Sequence, residues 1–197
     1  MDTRRYEPNW ESLDARPIAP WFDEAKFGIF IHWGVYSVPA WSPKGTYSEW
    51  YWWSMQDKNG ETRKFHDRTY GAEFTYQDFA PMFKAELFDP DQWADLFARS
   101  GARYVILTSK HHDGFCLWPS AYSWNWNSVD IGPHRDLVGE LGESVRAKNM
   151  RMCLYYSLYE WFRPLYLESP ERYALEHMIP QMKEVVERYL PSLIYTD

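Results

Sequence analysis

Three features of other protein classes are scarce in this sequence of 197 residues. Its 2 cysteines, Cys116 and Cys153, are too few for a disulfide framework and lack the spacing of zinc ligands, so we expect buried free thiols. The 21 Lys and Arg are outnumbered by 28 Asp and Glu, which excludes the basic face that nucleic acids and anionic membranes require. No run approaches the roughly 18 apolar residues of a membrane span, and no signal peptide is visible at Met1–Trp10. The sequence therefore predicts neither a nucleic-acid partner nor a membrane partner.

Aromatic residues, by contrast, are abundant. Phe, Trp and Tyr make up 19% of the chain, which is more than a core of this size requires. Flat apolar rings suit the faces of sugars, but Trp and Tyr also fill cores and protein interfaces. The composition alone leaves both interpretations open.

Short apolar runs alternate with helical patterns along the chain. Nearly continuous apolar runs are typical of parallel strands that are buried on both faces. Four such runs occur, at Phe27–Ile31, Tyr104–Thr108, Met152–Tyr156 and Leu193–Tyr195. Capping residues and apolar spacing predict helices over Asp89–Gly101, Asp136–Asn149 and Pro180–Tyr189. A further short helix opens near Ser169, and Pro180 is expected to separate it from the last one.

The connections between these elements are long on one side only. Lys110–Arg135 and Leu158–Ile179 follow predicted strands, whereas helices return to strands within a few residues. Long loops at the carboxyl ends of parallel strands mark the functional edge of an α/β layer. Such a repeat forms an open sheet or a barrel. Because a (β/α)8 barrel takes about 250 residues, four strands predict roughly half of one, and the sequence is expected to be truncated.

Polar groups follow all four predicted strands, where they would meet at one edge. The first strand is followed by His32, the second by Lys110, His111, His112 and Asp113, the third by Ser157, Tyr159, Glu160 and Trp161, and the fourth by Asp197. Any one of them could be a satisfied structural residue. As a set they predict a site built from several strand ends.

The pair His111 and His112 raises the question of a metal site. Adjacent residues leaving a strand are expected to point to opposite faces, and the spacings that put two imidazoles on one side are absent. We therefore expect no metal, and instead hydrogen bonds from neutral imidazoles to substrate hydroxyls. A metal-dependent barrel hydrolase remains an alternative.

The run Glu49–Trp53 sets a carboxylate beside four consecutive aromatic residues. This combination offers a strong hydrogen-bond acceptor together with stacking surfaces. Packing in a lid or a subunit contact is an equally good account of Tyr51, Trp52 and Trp53. It is a poorer account of Glu49, because a carboxylate among rings needs a purpose or a partner.

Several segments, taken in order from about Trp21 to Asp197, resemble the α-L-fucosidases of glycoside hydrolase family 29, most of all their animal tissue-type members. The segments are Phe27–Gly34, Glu49–Tyr51, Ser109–Phe115, Ser123–Ser128, Gly132–Glu140, Glu160–Phe162 and Leu193–Asp197. The resemblance implies a retaining exo-glycosidase that removes terminal α-L-fucose from glycoproteins, glycolipids and oligosaccharides through a covalent fucosyl-enzyme. It implies no metal and no organic cofactor.

The resemblance also implies residue roles. Asp197 matches the catalytic nucleophile of the family. The positions that match the fucose pocket are His32, Glu49, Trp50, His111 and His112. Glu49 has a secondary claim to the acid/base role, although the usual acid/base position would lie beyond residue 197.

The family fold is a (β/α)8-like catalytic barrel followed by a β-sandwich. Residues 1–197 would then form the N-terminal portion of a single catalytic barrel domain, without the C-terminal half of the barrel and without the sandwich. The resemblance suggests a lysosomal or secreted protein, a fucosylated glycan as substrate, and a possible homo-oligomer at full length. The alternative is a truncated, inactive fragment with at most carbohydrate-binding ability, and we expect residues 1–197 alone to lack measurable hydrolysis.

Overall fold

A computed structural model describes residues 6–197 and contains a four-stranded parallel sheet in the order β1-β2-β3-β4. The strands are β1 Gly28–Ile31, β2 Tyr104–Lys110, β3 Arg151–Tyr156 and β4 Ile194–Tyr195. The four predicted strands and their parallel arrangement are confirmed, and their bounds differ from the prediction by at most 2 residues. The finding establishes an α/β fold.

The pairing register brings the carboxyl ends of the strands to the same edge. Ile31 pairs with Leu107, and Tyr155 lies between Thr108 of β2 and Tyr195 of β4. The β2–β3 register shifts between Thr108 and Lys110, just where the polar residues begin. Side chains that follow the strands are therefore close together in space.

Helices surround the sheet and connect its strands. They are α1 Trp10–Asp14, α2 Pro20–Ala25, α3 Tyr51–Ser54, α4 Glu61–Thr69, α5 Pro90–Arg99, α6 Leu137–Ala147, α7 Pro164–Glu168, α8 Pro170–Tyr173 and α9 Ile179–Tyr189. Two of the predicted helix starts are confirmed by capping bonds: the Asp89 carboxylate accepts from Gln92 N, and Asp136 accepts from Gly139 N. Within residues 6–197, no helix is long and apolar enough to cross a bilayer.

The predicted break before Pro180 is wrong. Helix α8 continues through a π-helical turn, Ala174–Met178, directly into α9. Pro180 lies in the first turn of α9, where a missing N–H is tolerated. The preceding π turn has already changed the spacing of the backbone hydrogen bonds, so the chain accepts proline without leaving the helix.

The two faces of the sheet are covered differently. Alternate residues of β2 and β3, such as Leu107 and Leu154, pack fully buried against α5, α6 and α9. The opposite face holds a small cluster around Ile106 and Cys153 that includes Trp21 of α2. Both cysteines of the chain are buried free thiols, as predicted.

Gly28 provides a test of how tightly β1 packs on β2. A Cβ atom at position 28 would lie 2.2 Å from the ring of Tyr104, which is itself wedged between Trp21 and Phe22 at 6.0 and 5.7 Å. We expect Gly28→Ala to lower the free energy of unfolding by about 1–3 kcal/mol in urea denaturation, because the ring cannot retreat. In a Tyr104→Ala background the same change should cost much less. An equal cost in both backgrounds would contradict this account.

Candidate active site at the carboxyl ends of the strands

Imidazole rings and a carboxylate from three different strand ends converge at the functional edge. His32 follows β1, His111 and His112 follow β2, and Asp197 follows β4. The ring centroids of His32 and His111 are 5.5 Å apart, and Nε2 of His112 lies 3.9 Å from Oδ2 of Asp197. The structure thus places four of the six predicted site residues around one point.

The expectation that His111 and His112 point to opposite faces is wrong. Their ring centroids are only 4.2 Å apart. Strand β2 ends at Lys110, and the chain then turns, with Gly114 N donating to His111 O over 3.0 Å at a positive φ of 76°. A turn does not keep the alternation of a strand. Even so, no group of three or more His, Cys, Asp or Glu side chains suited to a metal ion occurs within residues 6–197.

His112 is held in a fixed orientation by the loop after β3. Its Nδ1 lies 2.5 Å from the hydroxyl oxygen of Ser157, and its carbonyl oxygen accepts a hydrogen bond from Trp161 N at 3.2 Å. Ser157 is fully buried and also accepts from Tyr159 N at 3.1 Å. These contacts leave the Nε2 edge of the ring facing Asp197.

Burial keeps the clustered imidazoles neutral. It lowers the pKa of His111 to about 2, with the neighbouring His112 and His32 adding to the effect. Burial also lowers the pKa of His112 to about 4, although the Asp197 carboxylate opposes it. The pKa of the more exposed His32 is lowered by partial burial as well, against the pull of Glu49 and Asp197. A neutral imidazole offers one donor and one acceptor, the combination that a hydroxyl ligand needs.

His111 and Asp197 each present an unsatisfied edge. Nδ1 of His111 is buried and has no hydrogen-bond partner among the described residues. The Asp197 side chain is 50% exposed, and within residues 6–197 only its Oδ1 accepts a hydrogen bond, from the Tyr155 hydroxyl at 2.7 Å. The other carboxylate oxygen, Oδ2, faces His112 and the open edge.

Tyr155 is a site residue that sequence reasoning missed. It lies within an apolar run, and its neighbour Tyr156 points to the other face, into the helix-covered core. Burial raises the pKa of Tyr155, and its bond to Asp197 raises that pKa further, so the hydroxyl stays a donor. Assigning alternate residues of β3 to the two faces would have found it.

Glu49 and Trp50 line the same edge from a short 3₁₀ turn, Ser48–Trp50. The Trp50 ring is 39% exposed and lies 5.8 Å from His112 and 4.9 Å from Trp161. The partly buried Glu49 is near enough to His32 for its charge to act on that ring. All six predicted site residues therefore lie at one edge of the sheet.

The remaining aromatic residues of this run divide between packing and exposure. Tyr51 is buried, and the partly buried Trp52 stacks on Tyr76 at 4.7 Å and on Phe162 at 4.1 Å, so both pack against the core. Trp53 is 50% exposed. Packing within the chain therefore accounts for Tyr51 and Trp52, whereas Trp53 leaves half of its surface open to a ligand or a partner.

A buried ion cluster lies beneath the edge and anchors the loop that carries Trp161. Nζ of Lys110 is 3.1 Å from Oε2 of Glu160 and lies 4.4 Å from the centroid of the Tyr156 ring. His177 of the π turn lies 3.2 Å from the same carboxylate oxygen, and Arg163 pairs with the other one. Burial opposes the charge of Glu160, but Lys110 and Arg163, together with the His177 contact, outweigh it and lower the pKa of the carboxyl.

Asp113 is the second buried carboxyl of the region. Its two oxygens accept hydrogen bonds from the Tyr76 hydroxyl at 2.7 Å and from Phe115 N at 3.1 Å. Burial raises the pKa of Asp113 to about 6, and the two hydrogen bonds only partly offset this. Asp113 and Glu160 follow strand ends as predicted, whereas Lys110 is the last residue of β2 itself, and all three support the edge from below.

Removing Lys110 tests whether the ion cluster is structural. Lys110→Met leaves the buried Glu160 with less compensation, so we expect the free energy of unfolding to fall by about 3 kcal/mol. Lys148→Met is the matched control, because Lys148 forms a 3.2 Å ion pair with Asp95 whose side chains are 41% and 46% exposed. That control should cost less than about 1 kcal/mol. Similar losses in urea denaturation of the two variants would contradict the assignment.

The lowered pKa values predict a loss of stability in acid. His112 is neutral in the folded protein down to about pH 4, whereas in the unfolded chain it takes up a proton near pH 6.5. Its contribution is therefore complete above pH 6.5 and is lost as the pH falls toward 4. Asp113, with its raised pKa, acts in the opposite direction, so variants must be compared.

The comparison uses the slope of unfolding free energy against pH. We expect His112→Gln to give a shallower decline than the unmodified protein between pH 6.5 and 4, and an unchanged slope above pH 7. The exposed His134→Gln is the control and should keep the original decline. If His112→Gln keeps it too, the ring is not held neutral by burial.

Comparison with known proteins places this geometry in a family. The model of the family described as "Alpha-L-fucosidase" matches residues 1–197. Tissue α-L-fucosidase of Mus musculus is 53% identical over 98% of this chain, and plasma α-L-fucosidase of Homo sapiens is 48% identical over 98% of it. The chain spans 43% and 42% of these two relatives, less than half of their length.

Solved structures agree with the sequence relatives. A crystal structure of Thermotoga maritima α-fucosidase in complex with fucose has a TM-score of 0.86 and 44% identity, covering 98% of this chain and 49% of that one. An α-L-fucosidase of Bacteroides thetaiotaomicron has a TM-score of 0.70 at 28% identity, with 92% of this chain and 41% of that one covered. The sequence resemblance is confirmed, and this chain belongs to the α-L-fucosidase family.

Proposed function

We propose that this chain supplies the nucleophile and the sugar-binding groups of a retaining exo-glycosidase that hydrolyses terminal α-L-fucose from glycoproteins, glycolipids and oligosaccharides. The observation that carries the proposal is the half-exposed carboxylate of Asp197, bonded to Tyr155 and facing a cluster of neutral imidazoles. Family membership and a relative solved with fucose support it.

The proposed reaction is a double displacement. Oδ2 of Asp197, the oxygen not engaged by Tyr155, attacks the anomeric carbon while the bond from that carbon to the leaving oxygen breaks. A carboxylic acid gives its proton to the leaving oxygen. Water then attacks the same carbon, passes a proton to that carboxylate, and displaces Asp197 to release fucose. We place the acid/base group beyond residue 197, with Glu49 as the second candidate.

The other site residues bind the sugar in this proposal. His32, His111 and His112 exchange hydrogen bonds with fucose hydroxyls, and the free Nδ1 of His111 is one such position. Glu49 adds a charged acceptor. The exposed ring of Trp50 packs against the apolar C6 side of the sugar. Neutral rings leave the charge of Asp197 uncompensated, which keeps it nucleophilic.

We also propose that residues 1–197 belong to a single (β/α)8-like catalytic barrel domain. On the face opposite the main helix layer, Phe30 and Tyr195 remain 40% and 47% exposed, as the inside of an incompletely closed barrel would be. A lysosomal or secreted location fits the tissue and plasma relatives, and a homo-oligomer remains a prediction. The alternative, that the natural protein is itself an inactive fragment that only binds carbohydrate, fits membership in a hydrolase family less well.

Replacing the nucleophile tests the mechanism. In the longest natural form of the protein, we expect Asp197→Gly to lower kcat on an aryl α-L-fucoside by at least about a thousandfold, since the attacking oxygen is gone. Added azide should restore turnover and yield a fucosyl azide, because the small anion occupies the position of the carboxylate. Residues 1–197 alone should bind fucose without measurable turnover.

Glu86→Gly, which removes an exposed carboxylate, serves as the control and should keep full activity. Unchanged turnover of Asp197→Gly without azide would refute the nucleophile assignment. Clear hydrolysis by residues 1–197 alone would instead refute the placement of the acid/base group beyond residue 197, and would favour Glu49.

A further inference from the structure

A ridge of tryptophan rings leads away from the candidate active site. The Trp161 ring lies 4.5 Å from His112 and 4.9 Å from Trp50, and its other neighbour, Trp53, is 5.0 Å away. Trp53 is 50% exposed, although the sequence alone gave it an equal claim to packing. The ridge therefore connects the edge that holds His112 with the surface around Trp53.

Trp53 also lines a groove of about 520 Å³. Besides Trp53, its walls include Pro43, Thr46, Gln56, Asp57 and Glu61. These side chains supply a flat ring, a hydroxyl, an amide and two carboxylates. Aromatic faces together with hydroxyl, amide and carboxylate groups are the chemistry that binds a polyhydroxylated ring.

The charge of the groove selects against anionic ligands. Two of its lining residues are acidic, and none of the residues that line it within the described part of the chain is Lys or Arg. A sulfated or carboxylated sugar would be repelled by Asp57 and Glu61. A neutral sugar would meet hydrogen-bond acceptors for its hydroxyls.

The walls of the groove are preorganised by local hydrogen bonds. The Thr46 hydroxyl donates to Pro43 O at 2.8 Å, and the Ser42 hydroxyl donates to Thr46 O at 3.1 Å. The carboxylate of Asp57, another lining residue, accepts from Asn59 N at 3.0 Å. A ligand would therefore bind without having to order these loops, which improves affinity.

We propose that this groove is a second sugar subsite, which binds a neutral sugar further along the glycan that carries the fucose. This inference rests on the proposed function, because it takes fucose to sit against Asp197 and His112. Because Trp53 belongs to both the ridge and the groove, a glycan whose fucose lies against His112 would pass along Trp161 to Trp53. Trp53 then sets specificity for the leaving group without touching the fucose.

The test compares a short ligand with a longer one. Binding of L-fucose and of the neutral trisaccharide 2′-fucosyllactose is measured by calorimetry, in an Asp197→Gly background that prevents turnover, after fucose binding by the unmodified protein has been established. We expect Trp53→Ala to weaken the trisaccharide about five- to tenfold more than it weakens fucose, as the loss of an aromatic contact predicts. Trp124→Ala, which removes a ring that is 79% exposed, is the matched control and should change neither.

A second measurement does not depend on the variant folding well. In a spectrum of the Trp indole N–H groups, the Trp53 signal should shift with the trisaccharide and stay in place with fucose. The subsite would be overturned if Trp53→Ala weakened the binding of both ligands equally, or if the Trp53 signal did not shift with the trisaccharide. If the unmodified protein binds no fucose, the proposed function fails and the subsite fails with it. If fucose binds and the trisaccharide binds no better, the subsite alone fails.

Discussion

The buried ion pair between Lys110 and Glu160 is the constraint on which the candidate site depends. Lys110 is the last residue of β2 and immediately precedes the two histidines, while Glu160 immediately precedes Trp161. One contact of 3.1 Å therefore joins the two loops whose side chains meet as His112 and Trp161. His177, in the π turn, lies 3.2 Å from the same carboxylate oxygen, so the irregular helix also contacts this point. Such a pair is costly to desolvate, but once formed it is costly to break.

This packing also sets the electrostatics of the site. The loop anchored by Glu160 buries His112, and burial keeps the ring neutral beside the carboxylate of Asp197. A protonated imidazole at this distance would form an ion pair with Asp197 and reduce its ability to attack a carbon atom. Tyr155 contributes only a neutral donor to the other oxygen. The site thus orients its carboxylate without neutralising it, which suits a nucleophile more than a structural acid.

The strands and the helix caps could be predicted from the sequence because they follow from local rules. Continuous apolar runs revealed the parallel strands, and Asp89 and Asp136 showed where two helices begin. The predictions for Pro180 and for the His111–His112 pair were wrong because the local rule used did not apply to the backbone at those positions. Pro180 breaks an α-helix but fits the first turn after a π turn, and strand alternation does not continue through the turn that holds His111 and His112. Tyr155 was missed because its hydroxyl has meaning only beside Asp197, a residue 42 positions away.

The aromatic residues show why composition alone could not identify the site. A tryptophan is available to a ligand only if one of its faces is free, and this depends on its neighbours in space. Trp52 stacks on both Tyr76 and Phe162, so its side chain packs against the core. Trp53, the next residue along the chain, contacts Trp161 and leaves half of its surface open. Successive residues of helix α3 point in different directions, so these two adjacent tryptophans differ in how much of their surface is exposed. The rings of this run therefore differ in what they leave free: Trp52 is covered by its neighbours, and Trp53 keeps an open surface.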